Sequence, residues 1–183
     1  MYFSFGSYTI TINKWETSGE MVIFSQSFGL DSIEIDSLVS LDTEYYSISY
    51  ISNNDRLLIQ LRTPNKQKPV LIFDYENQFL IIGLSDAIYF IDVSQKHSFK
   101  KIHIEYDVFY GFYTLHHLGI RDFFIAYTEL SILSVNYHGL ILWEYHSSDI
   151  ITNILLNSNK VSFAIDQPSK NLMNLDLYTG KIL

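Results

Sequence analysis

The groups with the most chemical capacity in this chain are six histidines and twenty carboxylates; it has no thiol. Two histidines adjoin in the stretch YTLHHLG, as His116 and His117. Neighbouring side chains on an extended strand point to opposite faces, so this pair would not ligate one metal together. Like His97, His103, His138 and His146, they read as hydrogen-bonded structural or surface groups. His103-Ile104-Glu105 has the histidine–glutamate spacing of zinc deaminases, but that chemistry also needs a cysteine pair. The lack of cysteine excludes disulfides, thiolate metal sites and a cysteine nucleophile. The sequence holds no Gly-x-Ser-x-Gly elbow, no His-Glu-x-x-His, no phosphate-cradling glycine loop and no calcium loop. The expectation is a non-enzyme without metal or cofactor.

The carboxylates carry more of a pattern. Asp31, Asp42, Glu44, Asp86, Asp107, Glu129 and Asp149 fall in short polar segments between apolar runs. The net charge is −8, which opposes nucleic-acid binding, because neutralising phosphates takes clustered Lys and Arg. Acidic loops on a rigid scaffold attract a basic protein and speed the encounter, with Tyr and Trp as anchors. One segment, TPNKQKP with Lys66 and Lys68, breaks the acidic trend. Asp is also a favoured turn residue, so the same positions suit plain solvated turns. Paired carboxylates across a cleft are equally what a glycosidase needs. A carbohydrate-active hydrolase or lyase with channel-facing carboxylates is therefore the alternative.

These residues need a frame, and the frame is a repeat. Asn13, Asn53, Asp92, Asn136 and Asp176 each stand where an apolar run ends, at intervals of 40, 39, 44 and 40 residues. A short side-chain oxygen can accept a hydrogen bond from the backbone two residues on and so start a turn. A period of about 40–45 residues suits four short strands and their turns, the layout of a propeller blade. The chain thus reads as one all-β domain, a β-propeller of about five small blades near 1–26, 31–63, 69–104, 109–145 and 149–183. The first blade is expected to keep strands at 2–6, 8–13 and 20–26, and the second to use 31–36, 38–42, 45–52 and 56–63. No stretch sustains a 3.6-residue period, so almost no helix is expected. Both a closed ring of five and an open or incomplete arc fit the pattern. The loops from second to third strands and those between blades would share one face, which gathers the seven carboxylates.

The stretches SVNYHGLILWE and NLDLYTGKIL resemble the repeats of quinoprotein-type β-propellers. In those repeats a strand ending in Asp or Asn leads through a Gly turn into an apolar strand carrying Trp. Trp143 occupies that position here, and the match covers Ile88 to Leu183, roughly half of the chain. The resemblance implies the fold. The quinone-binding tryptophan and calcium site of the family's enzymes have no counterpart in the sequence, so none of their chemistry is implied.

The start, MYFSFGSYTITINKWE, lacks a basic segment followed by a long apolar one, and no apolar run approaches membrane-spanning length. A cytoplasmic location without membrane association is expected. The function expected from these features is non-catalytic protein binding. Its concrete form is an immunity or inhibitor protein that neutralises a basic toxin or nuclease.

Overall fold

The structure, a computed structural model, describes residues 2–5, 7–28, 32–36, 43–53, 55–64, 68–95, 99–105, 107–165 and 172–183. Asp31, Asp42, Lys66, His97 and Asp166, and the strand expected over 38–42, lie outside the described residues.

The described residues form four sheets that stack face to face. The first holds β1 (Tyr2–Phe5), β2 (Tyr8–Trp15), β3 (Ser32–Asp36), β4 (Thr43–Ile51) and β5 (Arg56–Pro64) in the order β1-β2-β4-β5-β3. The second is β6 (Val70–Asp74), β7 (Phe79–Leu84), β8 (Ala87–Asp92) and β9 (Phe99–His103). The third is β10 (Phe109–Thr114), β11 (Phe123–Thr128), β12 (Ser131–Asn136) and β13 (Ile141–His146). The fourth is β14 (Ile151–Asn157), β15 (Lys160–Ile165) and β16 (Leu172–Asp176), with a bridge from Leu175 to Ile182. Strands of the last three sheets pair antiparallel in chain order, as blades do.

Apolar residues on both faces of the middle strands hold the stack together. Ile48, Tyr50 and Ile59 of the first sheet meet Leu80, Ile82 and Tyr89 of the second. On its other face the second sheet sends Ile81, Ile88 and Phe90 against Phe124 and Val135 of the third. The third then sends Ile125, Ile132 and Trp143 against Val161, Phe163 and Leu175 of the fourth. Strand β8 is therefore apolar from Ala87 to Ile91, Ala-Ile-Tyr-Phe-Ile, because both of its faces are buried. Among the described residues no apolar cluster joins the fourth sheet to the first, so the arrangement is an open, propeller-type arc.

The first 64 residues depart from the expected blades. Residues 18–28 form a helix, α1 (Ser18–Phe28), where an outer strand was expected over 20–26. The Thr17 hydroxyl accepts the Glu20 N–H at 3.2 Å, and the Glu20 carboxylate reaches back to the Glu16 N–H at 3.1 Å. The first bond is an N-cap contact that satisfies a donor a helix start leaves orphaned, and the second ties the first turn to the residue before the cap. Met21, Phe24 and Phe28 then recur at helical spacing on one face, with Met21 buried and the Phe24 ring 4.9 Å from that of Trp15. The helix packs on β2, β4 and β5. With no outer strand in between, β2 pairs directly with β4, and β3 adds in parallel beside β5. The first two expected blades are thus one sheet, and four sheets stand where about five blades were predicted.

The turn markers divide in the same way. Asp92, Asn136 and Asp176 each accept backbone N–H groups two residues on: Ser94 at 2.9 Å, His138 at 3.1 Å and Tyr178 at 3.1 Å. Asn13 instead lies inside β2, opposite Ser47. At the β4–β5 turn the Ser52 hydroxyl takes the Asp55 N–H at 2.9 Å, in the role expected of Asn53.

Candidate functional site

Backbone hydrogen bonds establish which positions correspond between the second and third sheets. Phe109 N–H donates to the Ser85 carbonyl, as Ile151 N–H does to Glu129. Ile104 N–H donates to the Asp86 carbonyl, as Ser147 N–H does to Leu130. The β7–β8 and β11–β12 turns therefore lie against the inter-sheet connectors, all at one end of the stack. Asp86, Asp107, Glu129 and Asp149 share that end.

Their surroundings differ. Asp107 and Asp149 occupy equivalent connector positions, and each accepts the next backbone N–H, Val108 at 2.7 Å and Ile150 at 2.9 Å. Asp107 also accepts the Leu130 N–H at 3.1 Å and the Thr128 hydroxyl. Asp107 therefore ties its connector to the β11–β12 turn, while the Asp149 carboxylate bonds within its own connector. Glu44 pairs with the Lys14 ammonium at 2.6 Å and accepts the Tyr46 hydroxyl at 2.5 Å. Asp86 lies 3.8 Å from the Lys101 ammonium, and Asp36, not singled out in the sequence, 3.5 Å from the Arg62 guanidinium. Among the described residues no lysine or arginine pairs with Asp107, Glu129 or Asp149. Among the described residues, Glu44 and Asp86 thus each have a cation beside them, whereas Asp107, Glu129 and Asp149 have none.

Beside this unbalanced charge lies an open groove of about 530 Å³ between the third and fourth sheets. Tyr113, Tyr127 and residues 151–155 line it. A β-bulge interrupts each inner strand that borders it, between Phe109 and Gly111 in β10 and between Thr152 and Leu155 in β14. Bulges re-aim side chains and leave backbone groups unpaired. The first leaves Tyr110 outside the ladder, 46% exposed, with its ring 6.2 Å from that of Tyr127. The second contains Asn153 at φ 53°, a left-handed conformation uncommon outside glycine. Gly111 has a specific duty here: a Cβ on it would stand 3.0 Å from the Tyr127 ring, which lies across the strand at that point. The Tyr113 and Tyr127 centroids are 5.2 Å apart, completing a row of three tyrosines. Burial, then the negative charges of Glu129 and Asp107, pushes the Tyr110 hydroxyl above the usual phenol value. Burial and then neighbouring Tyr127 do the same to Tyr113.

The histidines singled out in the sequence sit elsewhere. His116 and His117 are in a 3-10 turn (His116–Leu118) after β10 ends at Thr114, not on an extended strand. His116 Nε2 lies 3.0 Å from the hydroxyl of buried Tyr137. Among the described residues no cluster of three or more His, Asp or Glu could hold a metal, and no helix is long and apolar enough to cross a membrane.

The three tyrosines were not singled out from the sequence. The available signal was the alternation in FYGFYT, where a glycine inside an aromatic strand marks a close approach of another side chain.

No family model and no curated protein matches the sequence. Among solved structures the chain is similar to apo AztD from Citrobacter koseri, with a TM-score of 0.53 and 15% identity over 100% of this chain and 58% of that one. A second Citrobacter koseri AztD structure aligns with a TM-score of 0.51 and 18% identity, over 85% of this chain and 46% of that one. Dihydro-heme d1 dehydrogenase NirN in complex with DHE gives 0.52 and 10% identity, over 77% of this chain and 33% of that one. All are β-propeller-type folds, so the resemblance to quinoprotein-type repeats holds for the fold and for nothing finer. The chain spans between 33% and 58% of the length of these structures.

Proposed function

We propose that this chain is a non-catalytic protein-binding domain of propeller type whose partner is basic. The observation that carries this is the set of carboxylates, Asp107, Glu129 and Asp149, with no cation among the described residues set against them. A like-signed cluster left unbalanced raises the local concentration of positively charged surfaces and speeds their encounter. Exposed Tyr110 stands among them as an aromatic anchor of the kind that dominates interface energetics. An immunity or inhibitor role against a basic toxin or nuclease is the concrete form of this proposal, in keeping with the net charge of −8.

The test is recovery of a binding protein from native extract, followed by titration of the purified pair over a salt series. A basic partner whose affinity falls steeply as the Debye length shrinks from about 30 Å to about 8 Å fits the proposal. Glu129→Lys should weaken the complex further, since its carboxylate serves no turn or connector. An acidic or neutral partner, or affinity indifferent to salt, rejects it.

A further inference from the structure

We propose that the tyrosine groove between the third and fourth sheets receives an arginine side chain from an extended segment of a basic protein. This rests on the functional proposal above and names the site it lacks. Three observations converge. Two tyrosine rings line the groove, that of Tyr113 and that of Tyr127, which Gly111 allows to lie across β10. At one end the groove reaches Ile151, two residues after Asp149 and bonded through its N–H to the Glu129 carbonyl, so it runs up to the end of the stack where Asp107, Glu129 and Asp149 have no cation among the described residues. Among the described residues no lysine or arginine lines the groove. The bulge in β14 adds backbone groups outside the ladder at Asn153 and Ile154, available to a bound chain.

A guanidinium fits this combination better than an ammonium. It is planar, stacks on aromatic faces and is weakly hydrated, so it gives up less on entering a partly apolar groove. A neutral sugar would also stack on tyrosines but would gain nothing from the adjacent negative charge.

The experiment uses the full chain and two fluorescein-labelled six-residue peptides. One alternates arginine and glycine; the other has citrulline for arginine, keeping the shape and losing the charge. The arginine peptide is expected to bind about tenfold or more tightly than the citrulline peptide. Tyr127→Phe, which keeps the ring face, should bind as the unaltered chain does. Tyr127→Leu should bind about five- to tenfold more weakly. If Tyr127→Leu does not fold, Tyr110→Leu replaces it, with a loss of about threefold expected. Tyr75→Leu, at an exposed tyrosine of a different turn, should change nothing. Equal binding of the two peptides, no binding of either, or displacement of the arginine peptide by a neutral oligosaccharide overturns the inference. The two proposals fail separately. A basic partner that binds Tyr127→Leu undiminished removes the groove and leaves the function. A Tyr127-dependent arginine peptide, with no basic protein recovered, leaves the groove and removes the function.

Discussion

Two neighbouring junctions of this stack are built from the same positions with the bulk exchanged. Between the second and third sheets Gly83 faces Phe109, and a Cβ on Gly83 would fall 2.1 Å from that ring. Between the third and fourth sheets the equivalent pair is Tyr127 and Ile151. Small then large closes the first junction, where Phe109 packs at a tilt on Phe112 and Phe112 edge to face on Phe124. Large then small gives Tyr127 the small Ile151 opposite it in place of a ring; it lies across Gly111 beside Tyr113, and a groove remains. The same exchange recurs at the turn glycines. A Cβ on Gly139 would meet Phe90 at 3.0 Å and Lys100 at 3.2 Å, whereas one on Gly180 would meet Trp143 at 2.8 Å. Phe90 pairs across the strands with Lys100, and Ser134 with Trp143, at the same register position of the two sheets. The aromatic that seats the next sheet's turn comes from the third strand in one case and the outer strand in the other. One contact is thus kept while its donor moves, and this conserves packing volume without conserving sequence.

The largest expected effects come from removing those donors. Trp143 packs over Gly180 and donates its indole N–H to the Leu177 carbonyl at 3.0 Å. Trp143→Ala should cost about 3–5 kcal/mol in denaturant unfolding, and Phe90→Ala about as much. Lys100→Ala should cost far less, since exposed Lys100 carries the lesser part of its contact. If Trp143→Ala proves mild while Lys100→Ala is severe, the exchange of donors is wrong.

Overpacking gives the next effect. Gly83→Ala forces Phe109 aside and should cost about 1–3 kcal/mol, with much of the loss recovered when Phe109→Leu is added. The reciprocal change sharpens the comparison: Tyr127→Gly with Ile151→Phe rebuilds the closed junction at the open one. The double variant should be better tolerated than the two single losses predict, and it should no longer bind the arginine peptide. Additive losses would mean that the two junctions are not equivalent.

Buried Tyr137 separates the junctions by pH. Burial, then the charge of Asp74, pushes its hydroxyl from 10.0 up to about 12. The unfolded chain ionises first, so the folded state holds the proton more tightly. The stabilisation is fully present below pH 10 and is lost as pH rises through about 12. The melting temperature should therefore fall across that window, and less so in Tyr137→Phe. An identical slope in the two proteins would show that Tyr137 is not the group responsible.

Much of the last three sheets was legible in the sequence. Turn-starting Asp92, Asn136 and Asp176 act locally, through bonds to their own next residues, and apolar runs buried on both faces declare themselves as strands. The first 64 residues were less legible because Met21 to Phe24 is an apolar run too short for its period to separate helix from strand. The deciding signal was Thr17 followed three residues later by Glu20. The parallel pairing of β3 with β5 is a long-range choice with no local mark. At the candidate site the sequence picked out connector acids but could not show that Asp107 is engaged by Thr128 and Leu130, about twenty residues away. The tyrosine row was hidden because it depends on two bulges and on a glycine from a strand neighbouring Tyr127.

The smallest expected effect tests the exchange most directly. Ser134 is fully buried opposite Trp143, and among the described residues its hydroxyl is the one buried side-chain oxygen with no hydrogen-bond partner. A serine here leaves room for the indole but carries a hydroxyl that was taken from water without compensation. At the equivalent position Phe90 needs no such room, because it is itself the aromatic. If Ser134 is present for its size alone, Ser134→Ala should leave unfolding unchanged or stabilise the protein by about 1 kcal/mol. A loss of about 1 kcal/mol or more would mean that the hydroxyl is satisfied in solution, and that size is not the reason serine faces Trp143.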